Sequence, residues 1–383
     1  MTAALPPLSL YLHFPWCVQK CPYCDFNSFT LHGKLPETAY VEALCRDLAQ
    51  QAPPLAGRPI HSVFLGGGTP SLFSPRALEQ VFDFVRSHFT LPPDTEITLE
   101  ANPGTIERGR FAEYRAAGVN RVSLGAQSFD AATLKKLGRI HGPAEIGIAA
   151  DELHAAGLDN FNLDLMFALP GQSKEGALAD LESALALRPA HLSHYQLTIE
   201  TGTVFAGTPP PLPDDDLAWD MQLACHERLA REGFEHYEVS AFARPGRRSA
   251  HNLNYWRFGD YIGAGAGAHG KLSHSLPDGI VRTKQPREPR RYLVHAGTAP
   301  ETELVEAGRL PFEFALNALR LRDGFEGTLF ADRTGLPLDR VSPTLRRAQA
   351  RGLLEESAGG AWRPTELGTR FLNDLISEFL PAG

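Results

Sequence analysis

Three cysteines near the start of the chain have the spacing of a metal-binding loop. Cys17, Cys21 and Cys24 form C-x3-C-x2-C within the stretch HFPWCVQKCPYCDFNS, residues 13–28. Thiolates at this density are ligands of iron–sulfur clusters and of zinc, and both kinds of centre usually take four ligands. Phe26 stands where a further cysteine would supply the fourth thiol. The spacing therefore predicts a centre that another ligand completes.

Three kinds of centre agree with this spacing. A zinc site needs a fourth protein ligand, such as His13 or His32, and its ligands usually come in two separated pairs. A redox-active C-x2-C pair uses only Cys21 and Cys24 and leaves Cys17 without a role. A four-iron cluster on three thiolates leaves one iron open to a small chelating molecule. The residues favour the cluster without excluding the other two centres.

The elements that position these cysteines alternate between strands and helices. Apolar, β-branched and aromatic runs predict strands at 8–14, 61–66, 96–102, 121–127, 160–167 and 191–199. Helical patterns lie between them at 36–51, 74–89, 105–117, 143–156 and 173–187. Ser74, Thr105 and Ser173 are candidate N-caps. The alternation predicts an α/β fold with a parallel sheet, and the cysteine loop follows the first strand at the carboxyl end of that sheet.

The predicted strands alternate polar and apolar side chains, whereas strands buried on both faces are continuously apolar. The polar positions are Glu96, Thr98, Glu100 and Asn102; Arg121, Ser123 and Gln127; Asn160, Asn162 and Asp164; and His194, Gln196, Thr198 and Glu200. An antiparallel sheet with one wet face would alternate in the same way, but the intervening helices argue against it. The sequence predicts a partial (β/α)6 barrel whose hydrophilic lumen holds a polar ligand, because a closed eight-stranded barrel has an apolar interior.

The chain divides into three predicted parts, which are the barrel at 1–235, a Gly- and aromatic-rich connection at 236–305 and a tail at 306–383. The tail is predicted to be a small helical or winged-helix-like domain. Its predicted elements are helices at 312–321 and 338–352, a hairpin at LLEESAGGAWRP and a final helix from residue 365.

Composition and charge argue against several functional classes. The 383 residues carry a net charge of −8, which gives no basis for binding nucleic acid. Neither a signal peptide nor an apolar run of about 18 residues is recognisable, so the sequence predicts a cytoplasmic protein. Cys45 and Cys225 are predicted to be small buried side chains. Asp214, Asp215 and Asp216 are predicted to open a helix, whose dipole favours negative charge there, in preference to binding a metal.

A series of motifs through residues 11–270 resembles a known family. They are YLHFPWCVQKCPYCDF, FLGGGTP, LEANP, SLGAQSF, LGRIH, NLDLMFALPGQ and HNLNYWRFGDYIGAGAGAHG. The chain resembles the radical S-adenosylmethionine (SAM) superfamily. Within it, the chain is similar to the oxygen-independent coproporphyrinogen III oxidases and their relatives, the HemW-type haem chaperones. The stretch PFEFALNALRLRDGF in the tail resembles the C-terminal domain of this family. The resemblance implies a [4Fe–4S] cluster on Cys17, Cys21 and Cys24. It also implies that SAM chelates the open iron and is cleaved by an electron from the cluster to a 5′-deoxyadenosyl radical.

The same resemblance implies which residues contact SAM. They are the turn of Gly66, Gly67, Gly68 and Thr69; the side chains of Glu100, Gln127, Arg139 and Asp164; Tyr11 and the backbone of Tyr23 beside the cluster and adenine; and, as a weaker candidate, Thr198. Arg139 can pair with a carboxylate, and acidic and amide side chains can bind ribose hydroxyls. Glu100, Gln127 and Asp164 also lie on the predicted polar face, although membership of a buried polar network is an alternative role for each.

The stretch HNLNYW, residues 251–256, resembles the haem-binding signature of the chaperone branch. The resemblance implies that His251 is a ligand of haem iron. Tyr255 and Trp256 would then offer flat apolar surface to the porphyrin. An ordinary loop histidine is the alternative for His251.

Phe26 distinguishes the chain from the oxidase branch. The oxidases resemble C-x3-C-x2-C-x-C, and their additional cysteine is associated with decarboxylation of propionates, whereas this chain has Phe26 there. The resemblance therefore implies a haem chaperone that delivers haem to an apo-haem protein, such as a membrane-bound respiratory enzyme. The alternatives are an oxygen-independent coproporphyrinogen III oxidase and, less favoured, an electron-transfer or zinc-binding module. Whether the chain is an enzyme stays open, and no catalytic residue is assigned.

Overall fold

A computed structural model describes the chain over residues 5–55, 57–104 and 109–381. Its strands are β1 (Leu8–Phe14), β2 (Trp16–Cys17), β3 (Phe29–Thr30), β4 (Ile60–Gly67), β5 (Glu96–Ala101), β6 (Arg121–Gln127), β7 (Phe161–Phe167), β8 (His191–Gln196), β9 (Glu235–Glu238), β10 (Ala241–Ala243), β11 (Asp260–Ala264), β12 (His269–Ser273), β13 (Ile280–Lys284), β14 (Glu301–Leu304), β15 (Phe325–Glu326), β16 (Leu354–Glu356) and β17 (Ala361–Pro364). Its α-helices are α1 (Glu37–Gln51), α2 (Pro75–His88), α3 (Phe111–Ala117), α4 (Ala131–Lys136), α5 (Pro143–Ala155), α6 (Lys174–Ala186), α7 (Val204–Gly207), α8 (Asp215–Arg231), α9 (Ala250–Trp256), α10 (Pro289–His295), α11 (Leu310–Ala318), α12 (Gly327–Thr334), α13 (Ser342–Ala350), α14 (Glu366–Arg370) and α15 (Leu372–Ser377). None of these helices is both long and apolar enough to cross a membrane.

The centre of the fold is a run of parallel strands. Within the described residues, twelve strands form one sheet in the order β14-β13-β12-β11-β1-β4-β5-β6-β7-β8-β10-β9. β1 and β4 to β8 are parallel neighbours joined through helices, and they correspond to the predicted strands. Their ends agree with prediction to within one residue except at β8, which ends at Gln196. Leu10, Leu99 and Leu163 are fully buried in the apolar core, so the polar positions of their strands face the other way.

Predicted capping residues start three of the helices. Ser74 and Ser173 each accept a hydrogen bond from the backbone N–H three residues later, at 3.2 Å. Asp214 accepts the corresponding bond at 2.8 Å, so the acidic run opens α8, as predicted. The predicted start at Thr105 lies outside the described residues, and α3 begins at Phe111.

The segment that follows the parallel core extends the same sheet at both edges. β9 and β10 continue the sheet antiparallel beyond β8. β11 returns to the other edge, where it pairs parallel with β1, and β12, β13 and β14 follow it antiparallel. The predicted connection at 236–305 thus adds strands to the sheet of the barrel, and the predicted domain boundaries stay a prediction.

The tail is a helical layer with its own apolar core. It contains α11 to α15 and a small sheet in the order β15-β17-β16. Phe314 and Trp362 are among its buried residues. The predicted hairpin is present as β16 and β17. The helix predicted at 338–352 is shorter, because the chain first makes a 3-10 turn and α13 begins at Ser342, with a proline in its first turn. α12 was not predicted.

The tail contacts both edges of the large sheet. Near one edge, Arg282 of β13, the strand next to the edge strand β14, pairs with Glu313 of α11 at 2.5 Å. At the other edge, Arg320 pairs with Glu238 of β9 at 3.5 Å, and its carbonyl accepts the backbone N–H of Val239 at 3.1 Å. The tail therefore connects the two edges of a sheet that does not close into a complete barrel.

Candidate functional site

A central cavity of about 350 Å³ opens where the parallel strands end. All three cysteines of the loop line it. Most of the predicted SAM contacts also line it, namely Tyr23, Gly67, Gly68, Thr69, Glu100, Gln127, Arg139 and Asp164. The structure thus brings the cysteine loop together with polar side chains from β5 to β8.

The cysteine loop is held by hydrogen bonds within itself. The N–H of Cys24 donates to the carbonyl of Cys21 at 3.2 Å, and the Lys20 ammonium donates to two carbonyl oxygens of the loop at 2.9 and 3.1 Å. Burial raises the pKa of the Cys17 and Cys24 thiols. A metal cation would favour the thiolate form, since thiolates are the ligands of such centres.

The donor set of the loop suits an iron–sulfur cluster, because its three thiols line one cavity and each thiolate of a four-iron cluster would bind a different iron. In the part of the chain that the structure describes, no three or more His, Cys, Asp or Glu side chains are arranged to hold one metal ion. His13, a candidate fourth zinc ligand, has both ring nitrogens hydrogen-bonded, Nε2 to the Asn27 carbonyl at 2.9 Å and Nδ1 to the Tyr11 hydroxyl at 3.0 Å.

The glycine-rich turn packs on the segment that leads into the cysteines. The N–H of Gly68 donates to the carbonyl of Phe14 at 2.7 Å. A Cβ on Gly68 would lie 2.6 Å from the Trp16 carbonyl oxygen. A Cβ on Gly67, whose φ is +110°, would overlap the His13 ring. Glycine at these positions therefore lets the turn and the cysteine loop approach each other.

Asn102 connects the turn to Arg139. Its amide donates to the Thr69 hydroxyl at 2.9 Å, and its oxygen accepts a guanidinium N–H of Arg139. The same guanidinium nitrogen donates to the Gly125 carbonyl at 2.7 Å, and its other terminal nitrogen lies 3.6 Å from the Cys21 sulfur. Asn102 was not predicted as a site residue, although its polar position at the end of β5 was the signal for it.

A second polar network surrounds Asp164. Ser123 donates to its carboxylate at 3.1 Å, and Asn162 donates at 2.8 Å. Across the cavity wall, the hydroxyl of Tyr195 donates to the amide oxygen of Gln127 at 2.8 Å. These contacts fix the side chains in place before any ligand binds.

Among the described residues, no positively charged group lowers the pKa of Glu100. Glu100 accepts the backbone N–H of Gly67 at 3.0 Å, but burial, and then the carboxylate of Asp164, raise its pKa to about 8. Burial also raises the pKa of Asp164. A cationic ligand group would lower both pKa values, so this end of the cavity suits a ligand that carries positive charge.

Replacing Glu100 with glutamine is expected to change how stability depends on pH. The folded-state pKa of about 8 exceeds the ordinary value of 4.5, so the folded protein binds more protons than the unfolded one between these values. The carboxyl therefore destabilises the ligand-free fold increasingly as pH rises through this range. Glu100→Gln should raise the free energy of unfolding at about pH 8 by roughly 4 kcal/mol relative to wild type, with a difference below about 1 kcal/mol near about pH 5.

Chemical denaturation of the ligand-free protein across this pH range measures the effect. Glu79→Gln is the matched control, because Glu79 is exposed on α2. Identical pH profiles for Glu100→Gln and wild type would contradict the shifted pKa.

The predicted polar face is wrong at β8. Ser193 and Tyr195 line the central cavity, whereas His194 is buried on the other face and stacks on Phe167 with ring centroids 4.7 Å apart. Burial lowers the pKa of His194 to about 3, and the neutral ring packs as an apolar group. Thr198 lies beyond the end of the strand, is exposed and donates to a nearby glutamate at 2.8 Å, so it does not join the other predicted contacts.

The HNLNYW stretch lies in α9, and its three predicted haem contacts have different surroundings. His251 is 1% exposed, with Nδ1 3.0 Å from the Ser62 hydroxyl, and its Nε2 has no hydrogen-bond partner among the described residues. The Tyr255 ring lies against it with centroids 4.5 Å apart. Trp256 is turned toward the tail, where the Arg320 guanidinium covers its ring at 4.4 Å.

A side cavity of about 530 Å³ adjoins the central cavity. Phe26, Gly67 and Glu100 line both cavities. Tyr11, the remaining predicted SAM contact, lies in the wall of the side cavity, together with Tyr255. The sequence analysis did not predict this cavity. Its walls include residues of both the cysteine loop and the HNLNYW stretch, so the two motifs lie next to each other.

Comparison with known proteins identifies the class of protein that this fold and site define. The model of the Radical SAM superfamily matches residues 11–184, and that of the HemN C-terminal domain matches residues 309–371. The chain belongs to the radical SAM superfamily. Its fold is similar to the solved structure of coproporphyrinogen III oxidase (HemN) from Escherichia coli, with a TM-score of 0.83 and 22% identity over 98% of this chain and 90% of that one. The predicted α/β fold, with its partial barrel and C-terminal helical domain, is confirmed.

Curated relatives define the branch. The chain is 51% identical to the heme chaperone HemW of Escherichia coli (strain K12), over 98% of this chain and 99% of the relative. It is 38% identical to the heme chaperone HemW of Mycobacterium tuberculosis (strain ATCC 25618 / H37Rv), over 90% and 87%. Within the superfamily, the chain belongs to the family of HemW heme chaperones, which confirms the predicted resemblance. Membership of the superfamily implies SAM and a [4Fe–4S] cluster as cofactors.

Proposed function

We propose that this protein is a haem chaperone that carries a [4Fe–4S] cluster on Cys17, Cys21 and Cys24, with SAM bound at the open iron. The central cavity carries this proposal, because the three thiols and the polar side chains of β5 to β8 converge there. Haem is proposed as the cargo because near full-length relatives are named heme chaperones.

The side chains of the central cavity suit the parts of SAM. Arg139, beside the Cys21 sulfur, binds the carboxylate, and Glu100 and Asp164 accept hydrogen bonds from the ammonium and the ribose hydroxyls. Tyr23 lines the cavity where an adenine ring needs flat surface. When bound, the cluster and SAM supply one-electron chemistry. Thr198 is not part of the proposed set.

The HNLNYW stretch is proposed to bind the iron of haem through His251. Burial, followed by the positive charge of Arg121, lowers the pKa of His251 to about 3, and a neutral imidazole is the form that ligates iron. Its Nε2 is also unpartnered among the described residues. Because the ring lies behind Tyr255, we expect α9 to move when His251 binds iron.

The recipient of the haem is proposed to be an apo-haem protein, such as a membrane-bound respiratory enzyme. A cytoplasmic location is part of this proposal. The free thiols of the cysteine loop support it, because a reducing compartment keeps such thiols available to a metal.

Haemin titration of the anaerobically reconstituted protein tests the proposal. The expected result is a shifted, saturable Soret band, followed by transfer of the haem when apomyoglobin is added in excess. Serum albumin without bound haem serves as the passive control acceptor. Wild-type protein that leaves the Soret band of haemin unchanged would overturn the assignment of the cargo.

A parallel assay tests the alternative function, coproporphyrinogen III oxidase activity. The fold that the chain shares with a solved oxidase does not by itself distinguish the two functions. Reconstituted protein is incubated with coproporphyrinogen, SAM and a reductant. We expect no protoporphyrinogen, because Phe26 replaces the additional cysteine of the oxidases. Formation of that product would make the oxidase the better assignment.

A further inference from the structure

An imidazole and two cations share one wall of the side cavity. His269 of β12 and Lys284 of β13 are directly opposite each other in an antiparallel pair, so their side chains point to the same face. Arg287 follows β13 and lines the same cavity. The arrangement thus combines a metal ligand with two groups that bind carboxylates.

The positive charge of this wall is not balanced by nearby carboxylates. Within the described residues, Lys284 and Arg287 form no ion pair, whereas the neighbouring Arg282 is paired with a glutamate of the tail at 2.5 Å. Glu301 stands opposite Lys284 on β14 but is not ion-paired with it. Glu100 lines the side cavity as well, but in the ligand-free protein its pKa of about 8 leaves it largely protonated at neutral pH, and with SAM bound its charge is directed to the ammonium. An anionic ligand is therefore favoured here.

Aromatic rings supply flat apolar surface in the same cavity. Tyr255 and Tyr261 pack edge to face with ring centroids 4.4 Å apart. Phe26 is 59% exposed, which is unusual for so large an apolar side chain, and it lines the boundary between the two cavities. An exposed ring at this position gains apolar contact when a planar ligand covers it.

We propose that the side cavity binds haem, with His269 on the iron and with Lys284 and Arg287 on the two propionates. This inference rests on the proposed function, since it takes haem as the cargo. Phe26 and Tyr255 lie against the porphyrin ring. Haem requires an axial nitrogen, cations for its carboxylates and apolar surface for its ring, and the side cavity supplies all three.

His269 is ready to bind iron without a rearrangement. It is exposed and lines the side cavity, so iron can approach its ring directly. His251, in contrast, lies enclosed behind Tyr255. His269 therefore takes up the iron first, and His251 binds it only after α9 has moved.

The double variant Lys284→Gln/Arg287→Gln tests the propionate contacts. We expect its Kd for haemin to rise about tenfold or more, because two charge-assisted contacts are lost. With haemin dimethyl ester, which has no free carboxylates, the variant and wild type should bind equally. Arg290→Gln/Arg291→Gln is the matched control, since it removes the same charge from exposed positions of α10.

His269→Ala tests the iron ligand. We expect a changed Soret maximum and a changed electron paramagnetic resonance spectrum of bound haemin, while His274→Ala, at an exposed position after the same strand, leaves both unchanged. Unaltered thermal unfolding of each ligand-free variant shows that the fold is intact. If wild type binds haemin but these variants behave like their controls, the inference fails and the chaperone proposal stands. If wild type does not bind haemin, both fail.

Discussion

Serine at Cys17, Cys21 or Cys24 is expected to abolish the visible iron–sulfur absorption of the reconstituted protein. In the proposed cluster each thiolate would bind a separate iron, and the loop has no spare thiol because Phe26 occupies the next position. A single substitution therefore leaves only two ligands for the cluster. Iron content should fall from about four per chain to below about one, as measured by iron and sulfide analysis after anaerobic reconstitution.

Cys45→Ser is the matched control for this experiment. Cys45 is half-buried in α1 and does not line the central cavity, so this variant should keep its full iron content. A wild-type protein that binds one zinc per chain and shows no chromophore would disprove the cluster. Full absorption in all three loop variants would disprove the assignment of the ligands.

Gly68→Ala is expected to damage both the fold and the cluster. The added Cβ would lie 2.6 Å from the carbonyl oxygen of Trp16 and 2.8 Å from that of Phe14, and backbone atoms cannot move aside as a flexible side chain does. The turn must therefore shift and weaken the bond from the Gly68 N–H to Phe14. We expect a loss of roughly 2–4 kcal/mol in the free energy of unfolding. We also expect poor cluster retention, because the displaced segment leads into Cys17.

Gly147→Ala provides the contrast. Gly147 lies in α5, and a Cβ there would have nothing within 4 Å. Alanine in a helix interior is favoured over glycine by about 0.5–1 kcal/mol, so this variant should be slightly more stable than wild type. Denaturant unfolding and iron retention, measured on both variants, test whether the damage is specific to the turn at Gly68. Equal stability of the two variants would show that the turn is not as tightly packed as the structure indicates.

The alternation of polar and apolar residues correctly predicts which side chains face the lumen where the sheet is regular. β5, β6 and β7 lie in the middle of the parallel run, so their polar positions, such as Glu100, Ser123 and Asp164, reach the central cavity. At β8 the next strand is the antiparallel β10, and His194 packs as a neutral ring on the helix side. Polarity alone does not distinguish such a histidine from a lumen residue, which is why Tyr195 was missed.

Motif resemblance identifies the family and the cysteine loop, but it does not show how distant segments pack. His251 and Trp256 share one motif, yet one ring lies behind Tyr255 and the other faces the tail. The side cavity arises because β11 returns to pair with β1 and brings β12 and β13 beside the cysteine loop. That return is a long-range contact, and no local pattern in the sequence predicts it.

The bridge that the tail makes between the two edges of the sheet has a consequence for how those edges can separate. Swinging the tail outward would break the Arg282–Glu313 pair at one edge and the Arg320–Glu238 pair at the other. The tail therefore acts as a brace between the two edges of the sheet. Removing the charge at either pair would loosen one attachment and leave the other in place.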